Sequence, residues 1–142
     1  MLELKDFEEA KKRVDEVIIP TPLIYSPAFS KECRNMVYIK PENLQRTGAF
    51  KIRGAYNKIM KMDDESKSRG LIASSAGNHA QGVAYAAQQL GVKATIVMPA
   101  HTPLIKVDAT KALGAEVVLH GEVYDDAYNK AVELQKEHGY TF

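Results

Sequence analysis

From Leu71 to the last residue, short apolar runs alternate with longer amphipathic ones, and each join carries its own stop signal. Leu71-Ile72-Ala73 reads as a short strand, and a helix follows from about Asn78 to Leu90 with Gly91 in the terminating position. Ala94-Thr95-Ile96-Val97-Met98 reads as a buried strand closed by Pro99. Thr102-Pro103 places a hydroxyl cap before a first-turn proline, and the helix it opens stops at Gly114. Glu116-Val117-Val118-Leu119 is the next strand. The last helix shows Tyr124, Ala127, Tyr128, Ala131 and Leu134 on one face and stops near Gly139, before the strand start Tyr140-Thr141-Phe142. Strands alternating with helices need crossover connections, which are right-handed and build a parallel sheet covered on both faces. The pattern predicts a three-layer α/β unit, a parallel sheet with helices on both faces, over about 48–142.

Residues 1–47 read differently. Asp6-Phe7-Glu8-Glu9 is an N-cap with a glutamate three residues on, and Phe7, Ala10, Val14 and Val17 recur at near-helical spacing, which predicts a helix over about 6–16. Pro20-Thr21-Pro22 stops it, since proline lacks an amide donor and pushes the preceding residue toward extended geometry. Extended pieces are expected at Leu23–Tyr25 and Met36–Lys40. After the Thr47-Gly48 turn, Phe50, Ile52, Tyr56, Ile59 and Met60 fit a helix that carries Lys51 near its beginning, ended by the polar run from Asp63 to Gly70. The expected division is an arm over 1–47 and an α/β unit over 48–142.

Composition narrows the function classes. With 45% hydrophobic and 26% charged residues the chain is ordinary for a globular protein, and a net charge of +1 with interspersed signs argues against a nucleic-acid or membrane-surface face. No apolar run reaches spanning length, and Met-Leu-Glu-Leu-Lys-Asp lacks the layout of a signal peptide, so the cytoplasm is expected. Cys33 is alone, which excludes an internal disulfide, and it reads as a structural thiol. His101, His120 and His138 sit at no metal-ligand spacing, and the glycines do not form a dinucleotide fingerprint after a strand.

Two segments can carry chemistry. Lys51, at a helix start beside the aromatic Phe50, is an amine that can be partly desolvated and aimed at an aldehyde. The alternative is a solvated helical lysine. Ser75-Ala76-Gly77-Asn78-His79 lies between a strand end and a helix start, where small residues let free amides approach an anion. Its alternative is a plain helix cap. His79 reads as a helix-entry residue with a positioning role.

FKIRGAYNK and SSAGNHAQGVA together resemble the fold-type II pyridoxal phosphate enzymes, and among them the threonine dehydratases most. The resemblance implies that Lys51 holds pyridoxal 5'-phosphate, that Phe50 lies near the cofactor and that Asn78 bonds its ring hydroxyl. It further implies that Ser75, Ala76, Gly77, Asn78 and His79 take the substrate carboxylate. The family commonly has serine where this chain has Ala49. The implied reaction converts L-threonine to 2-oxobutanoate and ammonia. Serine dehydratase and serine racemase share the motifs, and a non-catalytic α/β module is the reading from another class. The resemblance also places residues 1–47 with a larger domain, and expects the phosphate-holding glycine loop to lie beyond Phe142. An inactive fragment that still carries the lysine is therefore expected, together with self-association and an amino-acid substrate.

Overall fold

The computed structural model describes residues 1–142. Its elements run α1 (Leu4–Val14), β1 (Ile24–Tyr25), α2 (Pro27–Cys33), β2 (Tyr38–Ile39), a 3-10 turn over Glu42–Leu44, α3 (Lys51–Met60), α4 (Asp64–Arg69) and β3 (Leu71–Ser74). There follow α5 (Asn78–Gln89), β4 (Ala94–Met98), α6 (Leu104–Ala112), β5 (Glu116–Leu119) and α7 (Tyr124–His138).

The expected parallel sheet is present, in the order β3-β4-β5, with Leu71 opposite Ala94 and Thr95 opposite Glu116. Thr141 adds a parallel bridge to Leu71, accepting from the Ile72 amide at 2.9 Å and donating to Gly70 at 3.0 Å. The side-chain alternation of the strands sorts the core into two layers. Leu71, Ala73, Ala94, Ile96 and Met98 face the cluster built with α3 and α5, whereas Ile72 and Val97 meet Ala127 and Ala131 of α7 on the other face. Tyr124 and Tyr128 of α7 stay exposed, so its buried face is narrower than its apolar pattern. No helix is long and apolar enough to cross a membrane.

Helix α5 explains the tight packing. Its Ala80, Ala84, Ala86 and Ala87 are almost fully buried, and such small side chains let it lie close to both the sheet and α3. The helix carrying Lys51 joins the same apolar cluster through Ile52, Ala55, Tyr56 and Ile59, but its main neighbour is α5 rather than the strands. Val14 and Val17 reach that cluster too, and Arg13 Nε donates to Asn57 Oδ1 at 2.7 Å.

Several local expectations are corrected. The first helix starts earlier, at Leu4, because Asp6 accepts from the Glu3 amide at 2.8 Å and acts three residues inside the helix instead of ahead of it. Phe7 is exposed. Between the extended pieces lies an unexpected helix, α2, opened by Ser26 and Pro27, and the two pieces pair with each other as an antiparallel ribbon. The polar run after Asp63 is itself helical, since Asp63 caps it by accepting from the Ser66 amide at 2.7 Å. Thr102 does not cap α6, because its hydroxyl donates back to Pro99 at 2.7 Å. Cys33 is an exposed thiol.

Candidate functional site

Lys51 is the first residue of α3 and is exposed, while Ile52 beside it is fully buried. The core thus fixes the root of the lysine and leaves its amine in the open. Phe50, which could have served in the core, is 57% exposed, and the Lys51 ammonium lies 5.1 Å from its ring centroid, within cation–π range.

The α3 start is fastened from below by an ion pair. Arg53 Nε and Nη2 donate to the two Glu42 carboxylate oxygens at 2.9 and 2.8 Å, and the Thr21 hydroxyl donates to Glu42 at 2.6 Å. Hydrogen bonding to Arg53, against a smaller opposing effect of burial, brings the Glu42 pKa down to about 2 from an ordinary 4.5. A depressed carboxylate stabilises the fold above its unfolded pKa and loses that contribution as pH falls through the folded value. Glu42→Gln is therefore expected to cost about 1.5 kcal/mol near neutral pH, the low end for charged hydrogen bonds because both side chains keep some solvent. In urea titrations the gap between the two chains should close between pH 4.5 and about 2. A gap that persists at the acid end would remove the ion pair as its cause.

Gln45 completes the anchor. It is buried, accepting from the Ile19 amide and donating to the Ile19 carbonyl, both at 2.8 Å.

The 75–79 loop leaves β3 and opens α5. The Ser75 amide donates to Val97 at 3.1 Å and the Gly77 amide to Ser75 Oγ at 3.3 Å, whereas the Ala76, Asn78 and His79 amides donate to no protein group. A Cβ at Gly77 would meet nothing within 4 Å, so open space lies above the loop. Asn78 and His79 are exposed, and Ser75 and Ala76 half-buried. Partial burial, helped by the Lys51 and Lys58 ammoniums, pushes the His79 pKa below its ordinary 6.5. The shift favours the neutral imidazole.

Lys51 and the loop are brought together by the packing of α3 on α5. A Cβ built on Gly82, one turn after Asn78, would lie 3.0 Å from Lys51 Cβ. A neighbouring cleft of about 250 Å³ runs along β3 and takes in Ser74, His79 and Lys58, but not Lys51 or Asn78. The Ser74 and Thr47 hydroxyls are buried without a partner.

Residues 14–142 match the model of the pyridoxal-phosphate dependent enzyme family. The chain belongs to that family. Pyridoxal phosphate is accordingly the cofactor of the enzymes to which it is related. It is 49% identical over its whole length to the L-threonine ammonia-lyase of Thermotoga maritima, of which it spans 35%. Among solved structures, the processed form of threonine deaminase isoform 2 from Solanum lycopersicum superposes with a TM-score of 0.86 at 41% identity, over 99% of this chain and 40% of that one. Maize serine racemase superposes with a TM-score of 0.90 at 33% identity, over 98% of this chain and 42% of that one.

The Glu42–Arg53 tie and the Gly82 contact were not evident from the sequence. Arg53 lies inside the lysine motif, but nothing local links it to a glutamate eleven residues earlier.

Proposed function

We propose that this chain carries the cofactor lysine and the substrate-carboxylate loop of an L-threonine ammonia-lyase. The observation that carries the reading is the close packing of the α3 start, with its exposed lysine, on α5, whose entry over 76–79 leaves three amides without a protein partner. These groups fit pyridoxal phosphate chemistry, which needs a primary amine for an aldehyde and neutral donors for a carboxylate. In this reading Lys51 holds the cofactor, Phe50 lies against it and Asn78 bonds its ring hydroxyl. Ser75, Ala76, Gly77, Asn78 and His79 take the substrate carboxylate, with the neutral His79 orienting it. When bound, the cofactor supplies an electron sink for the substrate α-carbon. Lys51 Nζ, as a free amine, would be the base that takes the α-proton. The β-hydroxyl would then depart as water, and a second water would replace the nitrogen at the α-carbon, so that threonine ends as 2-oxobutanoate and ammonia.

Serine racemase is the second reading, supported by the TM-score of 0.90 to the maize enzyme. A chimera separates them. With this chain in place of the matched residues of the Thermotoga enzyme, the expected product from L-threonine is 2-oxobutanoate. D-serine from L-serine without keto acid would favour the second reading, and neither product would overturn both.

The proposal keeps the division into an arm over 1–47 and an α/β unit over 48–142, a cytoplasmic setting, and self-association. The exposed Ile24, Tyr25, Tyr38 and Ile39 of the β1–β2 ribbon support the last of these. Light scattering should give a mass above 15.7 kDa.

A further inference from the structure

We propose that Gly82 is a positioning residue, whose missing side chain sets how closely the α3 start, and with it Lys51, stands to the 75–79 loop. A Cβ there would lie 3.0 Å from Lys51 Cβ, 3.1 Å from the Lys51 carbonyl carbon and 3.2 Å from the Ile52 amide nitrogen. Two of those three atoms are backbone, so the contact cannot be relieved by turning a side chain. Nor can α3 readily withdraw. Ile52, Tyr56 and Ile59 hold its inner face in the core, and Arg53 is clamped by both oxygens of Glu42. Helix α5 is held equally, with Ala80 and Ala86 fully buried on either side of Gly82.

A methyl at position 82 must therefore move the first turn of α3 away from α5. The displacement acts at the root of Lys51, because that Cβ is the nearest atom. His79 lies three residues before Gly82 on the same helix, so separating the two helices also separates the amine from the loop. Glycine inside a helix is ordinarily unfavourable relative to alanine. Its presence at this contact is accounted for by the spacing.

Gly54 supplies the matched comparison. It also sits inside a helix, α3, but a Cβ there would meet nothing within 4 Å. Gly54→Ala should raise the melting temperature slightly through helix propensity. Gly82→Ala should lower it by about 3 to 8 °C, on the scale expected for a domain of this size. Two readouts report position rather than stability. In the cofactor-free variant the His79 pKa, followed by NMR, should rise toward its ordinary value as the Lys51 charge recedes. Trapping of Lys51 by pyridoxal phosphate and borohydride should slow roughly tenfold or more, as small misplacements of a reacting group do.

Only the trapping readout rests on the proposed role of Lys51. If Lys51 in the unmodified chain is not trapped, that role fails, and the melting and His79 measurements still decide the spacing. Gly82→Ala melting at or above Gly54→Ala, with the His79 pKa unchanged, would overturn the proposal. A direct measurement needs no variant: the unmodified chain should show a nuclear Overhauser effect between Gly82 Hα and Lys51 Hβ, and its absence would also overturn the proposal.

Discussion

Lys51→Ala is expected to remove most of the covalent label that pyridoxal phosphate leaves on the chain, while leaving its fold intact. Every lysine can react with an aldehyde, so the informative quantity is the distribution of borohydride-fixed label among the lysines, read by peptide mass mapping. The chain should concentrate label at Lys51. Its amine is exposed beside Phe50 at the helix start that packs on α5, whereas Lys58, the other lysine near His79, donates its ammonium to the Phe142 carbonyl at 2.8 Å. Because the side chain is exposed, its loss should change stability by no more than about 0.5 kcal/mol. The His79 pKa should rise at the same time, since the Lys51 charge is one of the groups holding it down, although burial, the larger cause, remains. Label spread evenly over the lysines, or undiminished in the variant, would remove Lys51 from the role.

The neighbouring residue should show the opposite profile. Ile52 is fully buried in the cluster that joins α3, α5 and the sheet, so Ile52→Ala leaves a cavity in a region that is closely packed. The expected loss is about 2 to 5 kcal/mol, a large share of the roughly 5 to 15 kcal/mol that holds a domain together. Urea unfolding followed by far-ultraviolet dichroism measures it, and a loss below about 1 kcal/mol would mean that α3 is not held by this contact. Adjacent substitutions thus separate chemistry from architecture, one removing the label without the fold and the other weakening the fold first.

The parts of the fold that were legible are those where burial and punctuation coincide. β4 is buried at every position and is closed by Pro99, and α5 and α7 stop beside Gly91 and Gly139, both with positive φ. The arm was harder to read. α2 has seven residues and buries only Ser30, so it offers no apolar period, although Ser26-Pro27 was a usable start signal. α4 buries nothing and rests on the Asp63 cap and local pairs such as Arg69 with Glu65, which a search for amphipathic spacing passes over. Phe7 and Tyr128 fitted helical faces yet lie in the open, because periodicity shows which residues share a side and not whether anything covers it. Within the site, Lys51 and the 75–79 loop were visible because each sits in a recognisable local motif. The Glu42 clamp and the Gly82 contact were not, since both depend on where distant backbone segments come to rest.

The contact at Gly82 has a kinetic consequence. With the root of Lys51 pressed against the helix that begins at Asn78, the lysine backbone and the loop amides belong to one packed body. A small anion reaching the loop meets donors already in place, and little conformational entropy is lost on capture. Association at this spot should consequently follow diffusion and charge, without a slow rearrangement between amine and loop.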